Sequence, residues 1–113
     1  MQIAKEMLKG YIDIIVLSLL YNQDMYGYEL GKWVKTLTKN KFEIKEGTLY
    51  LAFKRMEKSG LISSYWGDKS AGGRRRYYAL LPAGKEHLLA KKQEWELLKK
   101  VVDLFLKGVD GDE

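Results

Sequence analysis

Between Tyr11 and Tyr21 the chain is apolar at nearly every position, with Asp13 and Ser18 as the main interruptions. Apolarity around most of a circumference predicts a helix covered on several sides, and we place it at about residues 3–20. Its own domain supplies some of that cover, and a second subunit is a natural source of the rest. Asn22, Gln23 and Asp24 then offer turn and N-cap chemistry. Tyr26, Leu30, Trp33, Val34 and Leu37 recur with helical spacing and mark one face of a second helix. Thr38 to Lys41 form a polar break, after which Phe42 and Ile44 alternate with charged residues as in a short extended stretch.

A third, amphipathic helix is expected over residues 46–59. Leu49, Ala52, Phe53 and Met56 face the core, while Leu51, Lys54, Arg55 and Lys58 lie opposite and Gly60 ends the helix. Residues 61–66 and 74–80 are rich in Ile, Tyr and Trp and read as two strands joined by a polar, glycine-rich loop at 67–73. Pro82 suits the first turn of a last helix reaching about residue 107. Leu88, Trp95, Leu98, Val102 and Phe105 follow heptad-like spacing there, widened by Leu97, Val101 and Leu104. So long an apolar stripe exceeds what the small preceding domain can cover, and a second copy of the chain is the economical partner.

Helix, helix, helix, hairpin is the order of a winged helix-turn-helix. The fold class is therefore mainly α with a small β-hairpin. It divides into a winged helix-turn-helix unit at 1–81, a dimerisation helix at 82–107 and an acidic tail at 108–113. In this layout the helix at 46–59 is the recognition helix, which enters the DNA major groove while the hairpin wing meets the backbone.

Composition narrows the function. With 113 residues the chain has room for one domain and an appended element. It has no cysteine, which rules out disulfides, thiolate zinc sites and a cysteine nucleophile. The net charge of +5 favours a polyanionic partner, and the charge is concentrated in Arg74, Arg75 and Arg76 and in Lys54, Arg55 and Lys58. The apolar run at 11–21 is shorter than the roughly 20 residues that span a bilayer. No signal-peptide layout precedes it, so we expect a cytoplasmic protein without membrane contact. His87 is the only histidine, and no nucleophile, base or metal constellation surrounds it; neither catalysis nor a cofactor is expected.

Three segments carry a family resemblance: Tyr26-Gly27-Tyr28-Glu29-Leu30; Glu46-Gly47-Thr48-Leu49-Tyr50 through Lys54-Arg55-Met56-Glu57-Lys58-Ser59-Gly60-Leu61-Ile62; and Gly72-Gly73-Arg74-Arg75-Arg76-Tyr77-Tyr78-Ala79-Leu80. In order and spacing they resemble the PadR family of bacterial transcriptional regulators. The single C-terminal helix with its tryptophan is similar to the small subfamily that includes multidrug-sensing repressors. The resemblance implies a homodimer, built through the first and last helices, that represses a promoter until an effector binds. Two positions depart from the family pattern: Leu51 stands where proline is usual, and Leu81-Pro82 where threonine tends to precede the last helix.

The resemblance implies DNA contacts at the recognition-helix positions that match the family here, Gly47, Thr48, Tyr50 and Lys54; the alternative is a Tyr50 partly in the core and a solvated Lys54. A hydroxyl and a phenol near a helix N-terminus bond phosphates, and a lysine reaches guanine O6/N7 or a phosphate. Arg55 and Lys58 stand evenly between phosphate contact and a solvated face. Strand alternation prevents the wing arginines from all pointing one way, so Arg74 and Arg75, with Lys69 at the tip, are the expected clamps and Arg76 is structural.

Trp95 is the candidate sensor. On a dimerising helix it can face its symmetry mate and sandwich a planar aromatic molecule, with Met7, Tyr11, Ile14 and Leu98 lining the cleft. The alternative is a tryptophan packed in a closed dimer core. Asp13 and Glu96 favour a cationic ligand and Lys99 opposes one, which leaves ligand charge open. The competing functional class is a winged-helix module for protein interaction or RNA binding without ligand sensing.

Overall fold

A computed structural model describes residues 9–67 and 73–111. A 3-10 turn at Lys9–Tyr11 leads into α1 (Ile12–Asn22), and the expected helical residues 3–8 lie outside the described residues. Strand β1 (Met25–Tyr26) precedes α2 (Gly27–Leu37) and α3 (Glu46–Lys58). Strands β2 (Ile62–Trp66) and β3 (Arg76–Leu80) form the wing, and α4 (Pro82–Leu106) follows.

The sheet is three-stranded, in the order β1-β3-β2, and antiparallel throughout. Its third strand, β1, pairs Met25 with Tyr78 and Tyr26 with Tyr77, which ties the α1–α2 connection to the wing. Two residues are too few to show an alternating pattern, so the sequence alone does not reveal this strand.

Leu49, Ala52, Phe53 and Met56 are all buried, as their spacing predicts, and they meet Val16, Leu17, Leu20, Leu30 and Val34 from α1 and α2. Phe42 and Ile44 are buried too, although they belong to an irregular connection and not to a strand. Trp33 and Leu37, which share the helical spacing of Leu30 and Val34, are exposed.

Both helices flanking the α2–α3 connection end the same way. After α3, Gly60 N–H donates to Glu57 O at 3.1 Å and Leu61 N–H to Met56 O at 3.0 Å, with Gly60 at φ +76°. This is a Schellman stop, for which glycine is suited. After α2, Lys39 N–H donates to Thr36 O at 3.2 Å and Asn40 N–H to Lys35 O at 2.8 Å, but Lys39 occupies the left-handed position at φ 53°. Thr38 secures the turn by donating from Oγ1 to Val34 O at 2.9 Å and accepting from Phe42 N–H at 3.2 Å.

The last helix begins in close contact with Leu61, in the connection between α3 and β2. Leu81 N–H donates to Leu61 O at 3.0 Å. Gly84 is buried against the same carbonyl, and a methyl group there would strike it and lie 2.8 Å from Leu80 Cδ1. Beyond Leu88 no residue of α4 is buried, and its stripe from Trp95 to Phe105 is exposed.

Candidate nucleic-acid interface

The core face of α3 fixes what its other face presents. Phe53 stacks on Tyr78 of β3 with ring centroids 3.8 Å apart and planes at 12°. Burial there pushes the Tyr78 phenol above its ordinary pKa. With that side anchored, Gly47, Thr48, Tyr50, Leu51, Lys54 and Lys58 are left exposed. Lys54 and Lys58 form no ion pair among the described residues.

Arg55 behaves differently from its neighbours. Its guanidinium donates to the Asp13 carboxylate on α1, so it turns toward its own domain. Of the two readings open to Arg55 in the sequence, this geometry supports neither directly and adds a third, an intramolecular pair.

The wing arginines separate by strand parity. Arg76 donates to Ser64 Oγ through Nε at 3.1 Å and Nη2 at 2.7 Å, and pairs with Glu57 at 3.7 Å. Ser64 Oγ in turn donates to Glu57 Oε2 at 2.7 Å, which joins the wing to α3. Arg76 and Arg74 both lie 5.5 Å from the centroid of the Trp66 ring. Arg75 is on the other side, 4.7 Å from the Tyr26 ring. A guanidinium resting on an aromatic face keeps its in-plane N–H groups available for phosphate oxygens. Arg74 and Arg75 are exposed in that arrangement, whereas Arg76 has carboxylate and hydroxyl partners. Lys69, the expected tip contact, lies outside the described residues.

Tyr26 is the edge of a stacked tyrosine group. Tyr77 meets it edge-on at 5.4 Å and stacks on Tyr65 at 5.6 Å. The Tyr65 hydroxyl donates to Asp24 Oδ2 at 2.6 Å, and this bond to a carboxylate pushes the Tyr65 pKa up to about 12. Arg75 is thereby mounted on a platform that β1, β2 and β3 build jointly.

Between α2, the α2–α3 connection, α3 and β3 runs an open groove of about 990 Å³. Lys32, Lys35, Lys45, Arg75 and Arg76 line it, against Glu43 and Glu46. Tyr28, 73% exposed, and Tyr50 stand along the same groove. Tyr28, Lys32 and Lys35 were missed in reading the sequence, yet their i, i+4, i+7 spacing marks a polar stripe on α2.

Trp95 of α4 and Tyr11 meet edge-to-face, with centroids 5.5 Å apart and planes at 74°. Ile14 is half-buried nearby on α1, and Leu98 is exposed one turn beyond Trp95. Met7 lies outside the described residues. Among the described residues no cluster of three His, Asp or Glu could hold a metal, and no helix is long and apolar enough to cross a membrane.

Comparison with known proteins gives a consistent result. The family model described as "Transcriptional regulator PadR-like family" matches residues 16–90. A transcriptional regulator from Clostridium thermocellum is 45% identical, with a TM-score of 0.81 over 93% of this chain and 99% of its own. A PadR family transcription regulator from Clostridium difficile is 51% identical, with a TM-score of 0.76 over 86% of this chain and 99% of its own. Bacillus subtilis PadR, in a structure with operator DNA, shares the fold at 20% identity and a TM-score of 0.64, over 71% of this chain and 45% of its own.

Proposed function

Because the chain belongs to the PadR-like family of transcriptional regulators, we propose that it is a sequence-specific repressor that grips a palindromic promoter operator as a homodimer and releases it on binding a planar aromatic effector. The observation that carries the DNA reading is the outward face of α3, whose Gly47, Leu51, Lys54 and Lys58 are exposed beside a groove rich in lysine and arginine.

In this reading α3 lies in the major groove. Lys54 donates to guanine O6/N7 or to a phosphate, while Thr48 and Tyr50 bond phosphates. Arg74 and Arg75, together with Lys69, hold the flanking backbone. Tyr28, Lys32 and Lys35 follow the backbone along the groove from the α2 side. A regulator of this kind performs no reaction, and nothing in the site calls for a nucleophile or a metal.

The homodimer reading rests on α4. Trp95, Leu98, Val102 and Phe105 are exposed along one stripe, and Phe105 remains 78% exposed. Burying that stripe against a second copy, with α1 contributing, removes a contiguous apolar surface from water. Two recognition helices would then read half-sites about one helical turn apart, roughly 34–36 Å. The effector reading rests on Trp95 and Tyr11, whose mutual edge-to-face contact leaves indole surface for a flat ligand, with Ile14, Leu98 and Met7 as further lining.

The test is a band-shift on the chain's own upstream promoter fragment, with and without planar aromatic compounds. A specific shift that a compound releases, and that Trp95→Ala makes insensitive to the compound, is the expected result. A specific shift that no compound disturbs would keep the DNA reading and return Trp95 to the dimer core. Failure to select any duplex from random DNA would favour the interaction or RNA-binding module.

A further inference from the structure

Leu51 is the only aliphatic side chain exposed on α3, at 61%. A single exposed leucine needs no partner on its own account. Its position gives the residue its meaning. At about 100° per residue, Gly47, Leu51, Lys54 and Lys58 run along the line opposite the buried Leu49, Ala52, Phe53 and Met56. Leu51 is therefore central on the outward face, where Tyr50 and Arg55 are flanking.

Gly47 sharpens the point. It contributes no side chain at the N-terminal end of this line, and the space beside its Cα is open. A groove floor can approach the helix closely there, and Leu51, one turn later, is the first side chain on the line to meet it. Arg55, which could have crowded the same surface, is drawn back to Asp13. A branched hydrocarbon offers no hydrogen bond, so it distinguishes bases by apolar shape. In the major groove the apolar feature is the C5 methyl group of thymine.

We propose that Leu51 is a specificity-determining residue that packs on the C5 methyl of a thymine in each operator half-site; this rests on α3 being the recognition helix. Lys54 lies three residues further on, about 4.5 Å along the helix axis. Base pairs are about 3.4 Å apart. The thymine that Leu51 reads thus sits one or two base pairs from the position that Lys54 addresses.

The experiment uses a duplex selected from random DNA by the full chain, in which each thymine is replaced singly by deoxyuridine. That change removes the methyl and nothing else. Binding is followed by fluorescence anisotropy for the wild type, Leu51→Ala and Leu51→Gln, each checked for native circular dichroism. One thymine per half-site is expected whose replacement weakens the wild type by about fourfold, the value of one buried methyl-sized group. Both variants should bind the thymine duplex more weakly and be indifferent to that replacement, while responding normally elsewhere. If wild type and variants respond alike to every replacement, the Leu51 inference falls and the recognition-helix reading stands. If selection enriches no sequence, the recognition-helix reading falls and takes this inference with it.

Discussion

Arg55 on α3 reaches back to Asp13 on α1, a residue 42 positions earlier, and makes a charged hydrogen bond to its carboxylate. The pair joins α3 to the helix that adjoins Trp95 through Tyr11. With the two side chains 57% and 34% exposed, it contributes no more than about 1 kcal/mol to stability.

Its main consequence concerns DNA. A guanidinium already paired in the free protein releases few counterions from a phosphate. Arg55→Ala is therefore expected to leave the slope of log K against log salt unchanged, while Arg75→Ala lowers it by about one. Affinities measured across a salt series decide this. A slope change at Arg55 equal to that at Arg75 would place Arg55 on the phosphates.

Gly84 supports a stability prediction. A methyl group at this position meets the Leu61 carbonyl, which is itself held by Leu81 N–H at 3.0 Å. Gly84→Ala should cost about 3 kcal/mol by forcing the first turn of α4 away from the Leu61 backbone, and urea denaturation will show it as a lowered midpoint. An unchanged midpoint would mean that α4 shifts freely against Leu61.

Lys39 supports the opposite change. It holds the left-handed position of the α2 stop at φ 53°, where a β-carbon is disfavoured. Relief of that strain outweighs the extra chain entropy of glycine, so Lys39→Gly should gain about 0.5–1 kcal/mol. The same denaturation series measures it, and a loss of stability would refute the strain argument.

Tyr65 introduces an alkaline dependence. Its pKa rises from 10.0 to about 12 when folded, chiefly because its hydroxyl donates to Asp24. The folded state thus holds the proton more tightly than the unfolded chain. The stabilisation is complete below pH 10 and is lost as the pH climbs through about 12. The stability difference between wild type and Tyr65→Phe should shrink across that window. A difference that stays flat would show that the Asp24 bond does not persist in solution.

The α4 stripe yields a hydrodynamic prediction. If a second copy covers it, the protein should sediment at twice 13.1 kDa, and Phe105→Asp should return it toward one chain without loss of helix content. A wild type that stays at 13.1 kDa at high micromolar concentration would overturn the dimer.

What the sequence disclosed follows the range of each interaction. The core face of α3 was legible because four residues repeat one period, and each is buried. On α2 the same logic put Trp33 and Leu37 on one face with Leu30 and Val34, of which only the latter two are buried. Periodicity assigns a face but not its covered width, and Leu37 sits in the last residue of the helix. Strand β1 and the Arg55–Asp13 pair were illegible because both depend on partners far away in the sequence. Among the candidate site residues, the exposure of Lys54 followed from helix geometry, while Thr48 and Tyr50, named from the family resemblance, are exposed as well. The mounting of Arg75 on Tyr26 did not, since it needs three strands in register.

The junction at Gly84 also has a mechanical meaning. Where the first turn of α4 passes Leu61, between α3 and β2, it has almost no slack, because a backbone carbonyl fills the space that any side chain would need. The 25 residues of α4 extend about 37 Å from that fulcrum. A swing of about 10° at that root corresponds to about 6 Å at the tip, taking 1.5 Å of rise per residue. Small adjustments where Gly84 meets Leu61 are therefore magnified along the exposed stripe of α4.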